Sequence, residues 1–184
     1  GRGFCSGADM SDDGTVPPNI AGLTLTRIAT RAMTLLTDLI PAMQRMPQPV
    51  ICAINGPAIG GGMCLTLGAD IRIAADSAYF RAAGINNGLT AAELGLSYTL
   101  PRAICASRAF EIMLTGRDVD AAEAERIGLV SCSVPREQLM DKAMAMAAVL
   151  AAKSPTIMAL GRQSFMRAND LDYRRNVENQ IETL

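Results

Sequence analysis

Val50-Ile-Cys-Ala-Ile-Asn-Gly-Pro-Ala-Ile-Gly-Gly-Gly-Met-Cys-Leu-Thr-Leu-Gly-Ala-Asp70 changes character twice along its length. An apolar, β-branched run from Val50 to Ile54 stops at Asn55-Gly56-Pro57. Three glycines follow at Gly60 to Gly62, and an apolar helical pattern resumes from Met63 to Leu67. The pattern predicts a strand, a loop and the start of a helix. Residues without Cβ admit close backbone approach, and the first N–H groups of a helix lack intrahelical partners. Gly60 to Gly62 are thus suited to face an anion or a polarised carbonyl. Tight strand-to-helix packing with no ligand is the alternative. Two familiar glycine motifs are excluded: no Lys-Ser/Thr ending of a P-loop follows, and Leu65 stands where a dinucleotide fingerprint needs its last glycine.

Outward from this segment, Asp70 to Ala74 reads as another buried strand. Alternation of strand and helix predicts α/β architecture with right-handed parallel crossovers. Upstream, Ile28, Ala32, Leu35, Leu36, Leu39 and Met43 recur at helical spacing between about Leu23 and Arg45, and Pro41 is expected to bend or divide that helix. Ser11 to Pro18 is a polar loop. Downstream, the residues after Ala78 are strand-like, Asn86-Asn87-Gly88 is a turn, and Thr90 to Leu100 is a short helix in which Thr90 and Glu93 have capping-box spacing. A helix over Ser107 to Leu114 closes at Thr115-Gly116. Asp120 caps the next helix, which Gly128 ends before a strand from Leu129 to Val134. Three helices complete the chain: Glu137 to Ala152, Pro155 to Arg167 with Ser154 as cap, and Leu171 to Leu184.

With 184 residues, 49% of them hydrophobic, the chain can bury a sizeable core. A formal net charge of −1 with no basic, aromatic-rich patch argues against a nucleic-acid partner. Every apolar run of membrane-spanning length is interrupted by Pro, Gly or charge, so no membrane partner is expected either. Five scattered cysteines without a CxxC pair fit small buried thiols in a reducing, cytoplasmic setting. Histidine is absent, which removes Ser-His-Asp and Cys-His schemes and every histidine metal site, so no metal is expected.

Three ordered motifs carry a resemblance. Gly3-Phe-Cys-Ser-Gly-Ala-Asp-Met10, Ala53-Ile-Asn-Gly-Pro-Ala-Ile-Gly-Gly-Gly62 and Ala69-Asp-Ile-Arg-Ile-Ala-Ala75 together resemble the crotonase (enoyl-CoA hydratase/isomerase) superfamily, and Leu100 to Val130 continues the match. The resemblance implies a spiral of ββα turns over residues 1–134 and a C-terminal helical oligomerisation region over 135–184. The chain opens on Gly1-Arg2 rather than Met, and further strand and helix units are expected before it. The implied assembly is a trimer, often paired into hexamers. The implied substrate is an acyl-CoA thioester of fatty-acid metabolism, with coenzyme A part of the substrate and no separate cofactor.

In this family two backbone N–H groups form an oxyanion hole, and they match Ala8 and Gly61. Asp9, Met10, Ser11, Gly60, Cys64 and Gly84 match the remaining substrate-binding positions. The loop at Ser11 to Pro18 then lies over the substrate entrance or is an ordinary surface connection. Met33, Met43 and Met46 read as gap-filling core, with an acyl pocket as the alternative.

Hydratases of the family use two glutamates, and this chain has Cys64 and Gly84 at those positions. Glu93 is the carboxylate left nearby, either as acid or base, or as a helix cap with Thr90, or both. Cys64 reads as a small packed side chain rather than a nucleophile. Cys105, where the family has glycine, implies an altered helix end. The leading function is hydratase/isomerase chemistry through a thioester enolate. Thioester hydrolysis or dehalogenation, and acyl-CoA binding without catalysis, are the alternatives.

Overall fold

The computed structural model describes residues 1–9 and 19–182, so Met10, Ser11, the rest of the Ser11 to Pro18 loop and Leu184 lie outside the described residues. In chain order come α1 (Leu25–Thr37), α2 (Leu39–Arg45), β1 (Ile51–Ile54), β2 (Ala58–Ile59), α3 (Gly61–Gly68), β3 (Ile71–Ala75) and β4 (Tyr79–Arg81). Two 3-10 turns, Ile85–Asn87 and Glu93–Gly95, lead to α4 (Leu96–Ala103), α5 (Ala106–Thr115), β5 (Asp118–Asp120), α6 (Ala121–Arg126) and β6 (Cys132–Val134). A further 3-10 turn precedes α7 (Leu139–Ala151), α8 (Pro155–Ala168) and α9 (Tyr173–Glu182).

Helix and strand alternate as expected, but pairing is not wholly parallel. The order β1-β3-β6 forms one parallel sheet. In the second, β2-β4-β5, β2 and β4 run parallel while β5 pairs antiparallel with β4. Neither β2 nor β5 was evident as a strand, because two- and three-residue strands are too short to show a period.

The two-residue alternation of β1 and β3 divides the core. Cys52, Ile54 and Ala74 face a large cluster that contains Met63, Phe80, Leu96, Leu100 and Ile112. Ile73 and Ala75 face the other way, onto Leu139 and Ala143 of α7. Arg162 of α8 is 4% exposed. Its guanidinium bonds Asp70 Oδ2 at 2.8 Å and the Met43, Gln44 and Met46 carbonyls that end α2. Asp70 also accepts from Val50 N–H at 2.6 Å, so one carboxylate ties the start of β1 to α8.

Four local expectations are refined. Pro41 does divide the first helix, and the break falls at Asp38 because the proline ring excludes the carbonyl four residues earlier, that of Thr37. The strand expected from Leu129 shrinks to β6, since the Leu129 and Val130 N–H groups both turn back to the Ala124 carbonyl. Met33 and Met46 are not core fillers: they are 50% and 41% exposed, and α1 lies mainly against α2 and the Glu93 turn rather than under a further layer. Met43 does fill a gap, its sulfur packing where Gly68 has no side chain. Cysteine burial is uneven, with Cys52 and Cys64 buried and Cys105 exposed at the N-cap of α5, where it makes no side-chain cap bond.

Candidate functional site

The site begins with a crossing of two backbones. Cys5 forms a parallel bridge to Ala58 of β2, and Ile59 N–H donates to the Cys5 carbonyl at 2.9 Å. This lays residues 5–7 across the start of α3. A Cβ at Gly62 would stand 2.2 Å from the Cys5 carbonyl oxygen, so only glycine admits the crossing. Gly62 of the triple glycine is thus needed for close packing whether or not a ligand faces the loop. Beyond the crossing, a Cβ built on Gly7 would lie 3.5 Å from the Gly61 nitrogen, which brings the residue preceding Ala8 against Gly61. Gly61 and Gly62 open α3, where helix geometry leaves N–H groups without intrahelical partners. Ala8 and Asp9 are exposed at the rim.

Position 84 and position 93 meet. A Cβ at Gly84 would come within 2.6 Å of Glu93 Oε2 and 2.9 Å of the Ala91 backbone. The Glu93 carboxylate therefore occupies the space a side chain from position 84 would need. The capping box expected at Thr90 and Glu93 does not form. Instead Thr90 Oγ1 lies 3.4 Å from Glu93 Oε1, donating to it, and accepts from Ala92 N–H at 3.4 Å. The helix expected from Thr90 is broken because Ala91 and Leu94 both adopt left-handed backbone, with φ of 58° and 51°. Such conformations cost of order 1 kcal/mol or more and persist only where the surroundings over-determine them. No sequence signal announces them, since glycine or asparagine is the usual occupant. Leu94 in turn reaches over the start of α3, its Cδ1 being 3.5 Å from the Cβ position of Gly61.

Cys64, one turn into α3, is 2% exposed and its Sγ donates to the Glu93 carbonyl oxygen at 3.5 Å. Burial, with the Glu93 carboxylate adding to it, pushes the Cys64 thiol up to about 12. A thiol that stays protonated through neutral pH is no nucleophile. The structure thus gathers Gly60, Gly61, Cys64, Gly84 and Glu93 around the N-terminus of α3, with Gly7 and Ala8 alongside. Among the described residues no group of His, Cys, Asp and Glu is arranged to hold a metal ion.

A sequence profile described as enoyl-CoA hydratase/isomerase matches residues 1–183. The chain belongs to the enoyl-CoA hydratase/isomerase family. It is 67% identical over 151 residues to a Mycobacterium bovis protein named "Probable enoyl-CoA hydratase echA12", an overlap of 82% of this chain and 53% of that protein. The chain thus spans about half the length of this curated relative. The crystal structure of a "probable enoyl-CoA hydratase/isomerase" from Mycobacterium abscessus superposes with a TM-score of 0.92 at 51% identity, covering 100% of this chain and 67% of that one. That of a "monofunctional enoyl CoA isomerase" from M. smegmatis gives 0.72 at 56% identity, covering 77% and 66%. The crossing of Cys5 and Gly7 over the start of α3 joins the first two motifs in space.

Proposed function

We propose that the protein acts on acyl-CoA thioesters as an enoyl-CoA isomerase, with Glu93 as the single proton-carrying group. The observation that carries this reading is the carboxylate of Glu93 standing in the space of an absent side chain at position 84, while position 64 offers only a buried thiol. Adding water across a double bond calls for groups that handle both the water and the carbon-bound proton. Shifting a double bond needs one base that removes a proton and returns it elsewhere.

In this reading the Ala8 and Gly61 N–H groups hold the thioester oxygen, where donors can be worth about 3 to 4 kcal/mol each. Glu93 takes a proton from C2 of a 3-enoyl thioester, charge moves onto the held oxygen, and the protonated carboxyl delivers the proton to C4. The product is the 2-enoyl thioester. Asp9 and Gly60 complete the rim at which the coenzyme A portion enters as part of the substrate, with no further cofactor. The same reading places the protein in cytoplasmic fatty-acid metabolism. It makes the exposed apolar side chains Phe165, Val177 and Ile181 of α8 and α9 the contact surface of a homotrimer.

The test incubates the chain with 3-enoyl- and 2-enoyl-CoA and analyses products by mass, with sedimentation on the same sample. Bond migration without mass change, in a sample sedimenting as a trimer, is expected. Gain of a water, as the name of the M. bovis relative suggests, would replace the reading with hydration. Release of free coenzyme A would indicate hydrolysis, binding without turnover would indicate a non-catalytic protein, and a monomer would remove the trimer.

A further inference from the structure

The geometry points to Cys64 as a positioning residue for Glu93: its S–H···O bond to the Glu93 carbonyl sets the spacing between the carboxylate and the N–H of Gly61. This rests on the isomerase reading above and extends it to a side chain that the sequence placed at a substrate-binding position but that the fold leaves 2% exposed, its thiol bonded to the Glu93 backbone.

Cys64 and Gly61 lie three residues apart in α3, hence on one face of the same helix and one turn from each other. The helix carrying the candidate oxyanion donor therefore also carries the group that grips the candidate base. The grip falls at the strained point. Ala91 and Leu94, two and one residues from Glu93, hold left-handed backbone that a free turn would relax. Among the described residues Glu93 has no ion pair. Its side chain meets the Thr90 hydroxyl and the face of Gly84, while its backbone is held from α3 by the thiol. Cys64 itself cannot drift, being 2% exposed within the main core beside Met63 and Leu67. A serine at 64 would keep a donor on the same Cβ, whereas alanine would leave the Glu93 carbonyl without it.

Cys64→Ala, Cys64→Ser and Glu93→Gln, with the Cys64→Ala/Glu93→Gln double variant, test the assignment on a 3-enoyl-CoA substrate. Cys64→Ala is expected to lower kcat about tenfold with KM within about twofold, and Cys64→Ser to restore most of it. In the Glu93→Gln background Cys64→Ala should change nothing further, because the two act through one group. Amide hydrogen exchange across residues 91–95 should quicken in Cys64→Ala and not in Cys64→Ser, a readout independent of turnover. Wild-type kcat in a folded Cys64→Ala protein would overturn the positioning role alone. So would an equal loss in the Glu93→Gln background, or failure of serine to restore activity. Absence of isomerisation by the wild type would instead overturn the isomerase reading, and the positioning role with it.

Discussion

The Glu111 and Glu123 pair and the lone Glu93 are held in opposite ways. On the outer face Arg117 grips Glu111 Oε1 at 2.7 Å and Glu123 Oε2 at 2.7 Å, with a second contact to each carboxylate, so two acids share one guanidinium. At the site Glu93 has a hydroxyl at 3.4 Å and a glycine face as neighbours. The first arrangement is well paired and joins α5 to α6, while the second lies between left-handed residues and, among the described residues, has no ion pair. A charged partner keeps a carboxyl ionised and fixed, which suits a structural acid. A group that must take up and release a proton works best without one.

The contrast breaks most readily at Glu93. Glu93→Gln keeps the size of the side chain and is expected to reduce isomerisation by about 10² to 10⁴-fold, with thermal stability close to wild type. An active, folded Gln variant would put Glu93 on the same structural footing as Glu111. A smaller effect is expected at Gly84→Ala. The new methyl meets Glu93 Oε2 and the backbone of Ala91, and the backbone cannot give way cheaply. Turnover should fall about ten- to a hundredfold and stability by about 1–3 kcal/mol. An unchanged kcat in Gly84→Ala would mean that the position of the carboxylate is not critical.

The smallest effect is expected on the outer face. The Arg117, Glu111 and Glu123 side chains are 35%, 44% and 17% exposed, so solvent screens the cluster. Arg117→Ala should cost about 1 kcal/mol or less and leave turnover untouched. Hydrogen bonds from Arg117 hold both carboxyls below the usual carboxylate range. Their contribution is therefore complete above the unfolded value of about 4.3 and is lost as pH falls through the depressed folded values. Thermal unfolding of wild type and Arg117→Ala should accordingly differ at pH 7 and converge in acid. A difference that persisted in acid would assign the effect to packing of the arginine stem.

Local order determined much of this molecule directly. The β-branched run before Asn55, the three glycines and the apolar pattern after them specify strand, loop and helix, because residue periodicity and missing side chains act within a few residues. The Asp120 and Ser154 caps could be read in the same way, and both form, with Glu123 N–H and Ile157 N–H as donors. The order of the motifs was enough to mark the family, and Glu93 was identifiable as the acid left near the site. What tertiary structure alone decided concerns pairs remote in sequence: Cys5 above Gly62, the Glu93 carboxylate beside Gly84, Cys64 beneath the Glu93 carbonyl, and Arg162 on Asp70. The Thr90 capping box failed for the same reason. Its spacing was correct locally, but the left-handed backbone at Ala91 and Leu94, together with contacts to Gly84 and α3, turned the glutamate away from the helix end and toward the site.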